Sequence, residues 1–190
     1  MSEKLSGFRM PGEWEPQKSV WIAWPYNKND WPGLYKLIPE VILEIIYKIS
    51  KHQKVNLIIN SKIENIKKIL KLSKIKNISF HRIKTDRIWL RDSGPIFLTN
   101  KKYKKKILLN FLFSGWAKYK NYKNDNKIND KLSKIIKLKK INPAIKKNGK
   151  SRKVIMEGGA FDVNGAGTIL LTEECLLSKI QERNKKFRQI

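Results

Sequence analysis

Ser19-Val20-Trp21-Ile22-Ala23-Trp24-Pro25, followed by Leu34 to Lys51 and then by Val55-Asn56-Leu57-Ile58-Ile59, is the stretch that decides the fold. The first run is β-branched and aromatic, and Pro25 ends it, so it predicts a strand. Between Leu34 and Lys51, the residues Leu37, Val41, Ile42, Ile45, Ile46 and Ile49 recur at helical spacing and predict a helix with one apolar face. Val55 to Ile59 is short and almost wholly apolar, as a buried strand would be. Strand, helix and strand in that order predict the α/β class.

Outward from this core the alternation continues. Ser61 and Glu64 match a capping box, with Ile63, Ile66, Ile69 and Leu70 as the face of a second helix. Strands are expected at Ile78 to Ile83, Pro95 to Thr99, Ile107 to Phe113, Val154 to Met156 and Thr168 to Leu171. A turn is expected at Asn164-Gly165-Ala166-Gly167. Residues 118–150 are rich in Lys and Asn, with one helix expected around Ile128 to Leu138 and surface loop elsewhere. Buried strands near 57, 110 and 169 suggest a unit repeated about every sixty residues.

Two segments carry candidate chemistry. In Thr85-Asp86-Arg87-Ile88-Trp89-Leu90-Arg91-Asp92-Ser93-Gly94-Pro95, the adjacent charges of Arg91 and Asp92 lie between an aromatic residue and a turn, just before an apolar strand. Charge seldom sits so close to a core without a partner. Two readings stand here: a structural Arg91–Asp92 pair fixing the turn, or a carboxylate presented to a cation with Trp89 as a wall. In Met156-Glu157-Gly158-Gly159 a lone carboxylate follows an apolar run, and two glycines permit close backbone approach. The bland alternative is a strand ending in an exposed glutamate. The aromatic cluster from Phe111 to Tyr119 reads as core. Together, an Asp, a Glu and an aromatic wall suit a small guanidinium-type cation, since carboxylates pair with guanidinium through two hydrogen bonds.

The composition narrows the alternatives. The chain has 190 residues, 41% of them hydrophobic, enough for one domain with a real core. No run of about 18 apolar residues is present to span a membrane, and Met1 to Trp14 lacks the apolar core of a signal peptide, so a cytoplasmic protein is expected. The single cysteine, Cys175, excludes an internal disulfide and a cysteine zinc cluster. With only His52 and His81 besides, no metal site is expected. Cys175 follows Glu173-Glu174, and that acidic pair works against a reactive thiolate, so the residue reads as structural. The net charge of +26 suggests polyanions, but only seven of the 42 basic residues are arginine. Specific nucleic-acid recognition leans on Arg forks. Salt-sensitive, nonspecific association is the expectation instead.

Met10-Pro11-Gly12-Glu13-Trp14-Glu15-Pro16, Trp21-Ile22-Ala23-Trp24-Pro25, Trp89 to Pro95, Trp116-Ala117-Lys118-Tyr119, and Glu157-Gly158-Gly159-Ala160 through Thr172-Glu173-Glu174-Cys175-Leu176-Leu177 together resemble the agmatine deiminase family, also called the Porphyromonas-type peptidylarginine deiminases. The matches run in order over nearly the whole chain. The resemblance implies an α/β propeller, or pentein, in which five ββαβ modules surround one site. About half of that ring is expected within residues 1–190, as the N-terminal portion of a single catalytic domain. It implies hydrolysis of a guanidino group by a cysteine thiolate and a histidine, with agmatine as substrate, putrescine biosynthesis as setting, and no cofactor. A protein-arginine or arginine deiminase fragment, or a non-catalytic cation-binding module, is the alternative. Residue by residue, Asp92 matches the aspartate that holds the guanidinium, Glu157 the glutamate of the active-site carboxylate set, and Trp89 the aromatic beside the substrate chain. Arg91 reads as structural. The family's Gly-His-Ile/Val-Asp motif and its Gly-rich cysteine motif do not occur here. The chain is therefore expected to be inactive alone, as one part of a homo-oligomer or of a longer enzyme.

Overall fold

The computed structural model describes residues 5–60, 75–102, 104–147, 149–180 and 183–184. The expected capping-box helix that starts at Ser61 lies outside them. The chain forms two compact units, one of residues 16–90 and one of residues 1–15 with 91–190.

In the unit of residues 16–90, β1 (Ser19–Ala23), α1 (Ile38–Ser50), β2 (Lys54–Ile59) and β3 (Ile78–Arg82) follow in order. The strands form one parallel sheet with β2 in the middle, with Ile22 beside Leu57 and Leu57 beside Phe80. A central parallel strand is covered on both faces, and this explains the almost unbroken apolar run of β2. Val55, Leu57 and Ile59 are fully buried and pack with Trp24 and with Ile46 of α1. The helix begins at Ile38 rather than at Leu34, with Pro39 in its first turn, where a missing N–H costs nothing. Residues 34–37 are turns, joined by the Leu37 N–H to the Leu34 carbonyl. Periodicity gave the right face but too wide a stripe. Ile46 is buried, while Leu37, Val41 and Ile45 stay exposed.

The unit of residues 1–15 and 91–190 holds a sheet of β4 (Ile96–Asn100), β5 (Lys105–Leu109) and β6 (Lys139–Ile141). β4 and β5 are antiparallel, and β5 and β6 are parallel. α3 (Ile128–Ile135) supplies the crossover, with Ile128 and Leu132 fully buried. The segment expected to be mostly loop also contains a hairpin of β7 (Ala144–Lys147) and β8 (Lys150–Lys153). The strand expected at 154–156 is reduced to a single bridge from Ile155 to Leu112. The expected turn is present, with Asn164 Oδ1 accepting from the Ala166 and Thr168 amides, between β9 (Phe161–Val163) and β10 (Ile169–Leu171). Contrary to expectation β10 is not buried: among the described residues it pairs only with β9, and all three of its residues are exposed. Among the described residues two further α-helices are α2 (Leu90–Ser93), within which the chain passes from one unit to the other, and α4 (Glu173–Leu177).

Candidate guanidinium site

Asp92 lies in the short helix α2, just before Gly94-Pro95 opens β4. The end of that helix is held from below by Asn129 of α3. Its side-chain amide donates to the Ser93 carbonyl at 3.2 Å and to Asn110 Oδ1 at 3.0 Å. A buried amide linking three backbone segments fixes where the carboxylate emerges.

Glu157 arrives from the opposite side. Met156 is tied to Leu112 through its amide, and Leu112 to the Val154 carbonyl, so residues 154–156 run alongside the continuation of β5. The chain then turns through Gly158–Ala160. The Gly159 amide donates to Asp92 Oδ1 at 3.1 Å, and Arg91 Nε donates to the Gly158 carbonyl at 3.1 Å. A side chain at Gly158 would collide with the Arg91 carbonyl, and one at Gly159 with the Asp92 carboxylate. The two glycines are therefore the condition for bringing the two carboxylates together.

The carboxylates differ in surroundings. Asp92 is half-buried, and Glu157 is 1% exposed. Burial pushes the Asp92 carboxyl up, opposed by the Gly159 amide, the Trp116 side chain, Arg91 and Arg183. Burial likewise pushes Glu157 up, opposed first by Arg183, with repulsion from Asp92 adding to the rise. Arg183 Nε stands 3.2 Å from each oxygen of Glu157, and both side chains are almost fully enclosed. The more accessible carboxylate is thus Asp92, and Glu157 is enclosed with its own counter-ion, Arg183.

The aromatic run from Phe111 to Tyr119 reads as core in the sequence, yet the side chain of Trp116 hydrogen-bonds Asp92. Gly115, Trp116 and Ala117 have φ of 62°, 58° and 56° in succession. Left-handed backbone is unfavourable for a tryptophan, and such conformations concentrate where the surroundings hold a functional side chain in place. Ser114 Oγ accepts from the Ala117 amide, and the Gly115 carbonyl from the Lys118 and Tyr119 amides, which closes this turn. Beside it opens a cavity of ≈ 420 Å³, bounded by Ser114, Ala117, Tyr119, Tyr122, Arg152 and Arg183 among others.

The remaining candidates fall as follows. Trp89 belongs to the unit of residues 16–90, is 41% exposed, and packs its ring 5.9 Å from that of Trp31. A buried Asp30–Arg87 pair at 2.8 Å anchors the same corner. The sequence held no periodic or motif signal for that pair. Arg91 pairs with Glu13, besides its bond to Gly158. Cys175 is a half-buried free thiol in α4. His81 packs its ring against that of Trp21, 4.7 Å away and tilted by 42°, and hydrogen-bonds Asn56 at 3.2 Å. Neither Cys175 nor His81 is joined to Asp92 or Glu157 by a hydrogen bond among the described residues. No cluster among those residues has the donors for a metal ion, and no helix among them is long and apolar enough to cross a membrane. Arg183 escaped the sequence reading because it stands 26 residues beyond its partner, in a polar stretch without periodicity.

The model of the Porphyromonas-type peptidyl-arginine deiminase family matches residues 9–190. The agmatine deiminase of Pseudomonas savastanoi pv. phaseolicola is 28% identical over 190 residues, covering 98% of this chain and 49% of that protein. The solved structure of the Enterococcus faecalis agmatine deiminase superposes with a TM-score of 0.77 at 28% identity, over 93% of this chain and 46% of that one. A C. jejuni agmatine deiminase with substrate bound gives 0.76 at 30% identity, over 94% of this chain and 49% of that one. The chain therefore spans about half the length of the curated relatives it matches. Its fold class is α/β, of the pentein kind shared by these structures.

Proposed function

Because the chain belongs to the Porphyromonas-type peptidyl-arginine deiminase family, we propose that these residues form the substrate-holding side of a site that hydrolyses a guanidino group. The reaction is that of an agmatine deiminase: agmatine and water give N-carbamoylputrescine and ammonia, a step toward putrescine. Asp92 receives the guanidinium N–H groups, and Glu157 supplies a second negative charge. The observation that carries this reading is the paired carboxylate geometry, with Asp92 half-buried and aligned by the Gly159 amide and Trp116. Two desolvated carboxylates favour a delocalised, weakly hydrated cation over a strongly hydrated ammonium.

Bond breaking needs a thiolate and a base. Cys175 is a free thiol that follows two glutamates in α4, His81 is hydrogen-bonded to Asn56, and His52 follows α1 in the unit of residues 16–90. The 190-residue chain accordingly binds without turnover, as one portion of a cytoplasmic enzyme. Titration calorimetry with agmatine tests this, with ammonia release followed in parallel. Binding that Asp92→Asn weakens at least about tenfold is expected, with no ammonia. Binding indifferent to that substitution, or ammonia production by the chain, would overturn the reading.

A specific observation favours a second substrate. The cavity beside the carboxylates is lined by Lys118, Lys120, Arg152 and Arg183. That field repels the ammonium end of agmatine and attracts a carboxylate, as in free arginine. Tighter binding of arginine than of agmatine would select this alternative.

A further inference from the structure

We infer that Arg183 and Asn184 form a two-residue clamp that fixes the orientation of Glu157 and preserves its negative charge, which makes Arg183 a positioning residue for the guanidinium site. The inference rests on the carboxylate reading above. Asn184 acts on the backbone. Its Nδ2 donates to the Ile155 carbonyl at 2.8 Å, and its Oδ1 accepts from the Ile155 amide at 3.0 Å. One amide side chain thus satisfies both backbone groups of a residue, as a neighbouring strand would. On the other edge Leu112 takes the Val154 carbonyl and the Met156 amide. The segment leading to Glu157 is gripped from both sides, and the Asn184 side is supplied by the clamp.

Arg183 acts two residues further along. Its Nε lies equidistant from the two Glu157 oxygens, at 3.2 Å. A contact shared between two acceptors is long for each, so attraction of charge outweighs hydrogen-bond geometry here. Side-chain exposure is 3% for Arg183 and 2% for Glu157, so water does not replace either partner. The charged groups facing Glu157 are Arg183 and Asp92, and these act in opposite directions. Arg91 acts on Asp92 and is itself paired with Glu13. Without Arg183, a buried glutamate next to another carboxylate takes up a proton, and the site loses half its charge.

The test follows the Glu157 side-chain carboxyl of the 190-residue protein by carbon NMR across pH, with agmatine affinity measured on the same samples. In Arg183→Met the Glu157 midpoint is expected to rise by at least about one pH unit, and agmatine affinity to fall about tenfold near neutrality and recover as the pH is raised. Arg183→Lys is expected to restore most of both. Asn184→Ala should weaken affinity while leaving the titration in place. A Glu157 midpoint equal in wild type and Arg183→Met would overturn the inference, since a purely structural pair changes stability alone. Should Arg183→Met fail to fold, Arg183→Gln, which keeps a polar side chain without the charge, takes its place. A raised Glu157 midpoint in that variant supports the clamp, and a midpoint equal to that of the wild type overturns it. The carboxyl titration needs no ligand. A protein that ignores agmatine yet shows the Glu157 shift would sink the substrate reading and leave the clamp standing.

Discussion

At the scale of single residues the site sets binding against stability. The Asp92 carboxyl is raised above its ordinary 3.8, mainly by burial. A raised folded value means that its stabilising contribution is complete below 3.8 and is lost as pH rises through the raised value. Cation binding needs the ionised form, so affinity for a guanidinium should climb over the same interval in which this contribution disappears. Asp92→Asn separates the two effects. It keeps an acceptor for the Gly159 amide and removes the buried charge. Its melting temperature at neutral pH is expected to equal or exceed that of the wild type, and the advantage should vanish below pH 3.8, as scanning calorimetry would show. A variant less stable than wild type at neutral pH would mean that the charge is better accommodated than its burial implies. Glu15 has the opposite sign. The hydrogen bond from Arg9 holds it down to about 2, so its contribution is present above the ordinary 4.5 and is lost only as pH falls toward 2. Gly159 offers a steric test of the same site. In Gly159→Ala the added methyl group meets the Asp92 carboxylate. Displacing it should cost about 1–3 kcal/mol in urea unfolding and abolish most guanidine binding. A variant that binds normally would show that the turn at 158–160 yields more easily than its packing suggests.

At the scale of elements, what the sequence revealed followed from burial. β2 was legible because it is apolar on both faces, and α1 because its apolar residues keep a period of 3.6. Leu57 is the test of that core, fully buried at the middle of the central strand between Ile22 and Phe80. Leu57→Ala is expected to lower the unfolding free energy by about 2–5 kcal/mol in urea, without a change in the Glu157 carboxyl titration. A loss well under 1 kcal/mol would mean the sheet repacks around the gap. The hairpin of β7 and β8 was not legible, because β8 is polar and exposed at every position and β7 offers a single partly buried apolar residue, Ile145, too little for a pattern to detect. Part of the site escaped for another reason. Asp92 and Glu157 stand out as candidates in the sequence because each breaks an apolar context, a local signal. Trp116 and Arg183 act through pairings that only the folded chain creates. Trp116 even carries an apolar signature, since its ring packs edge-on to Phe113 at 4.9 Å while its indole N–H serves the carboxylate.

At the scale of the whole molecule, charge and exposed apolar surface pull association in opposite directions. The chain carries +26, and its units also expose Leu34, Leu37 and Val41 in one, and Ile169, Leu170, Leu171 and Ile180 in the other. Ile180 is 88% exposed, and Leu170 is 70% exposed on β10, which among the described residues pairs along one edge only. Apolar side chains grouped at a strand edge invite association. Mutual repulsion opposes it while charges act over a long range. The screening length is about 30 Å at 0.01 M salt and about 10 Å at 0.1 M. Self-association measured by light scattering should therefore increase with salt. Binding to a polyanion such as heparin should decrease over the same range, because released counterions drive it. Opposite slopes on one sample distinguish an apolar contact between copies from a polyanion-binding function. Leu170→Lys should flatten the first slope and leave the second almost unchanged. If self-association instead falls with salt, charge pairing and not the edge of β10 brings the copies together.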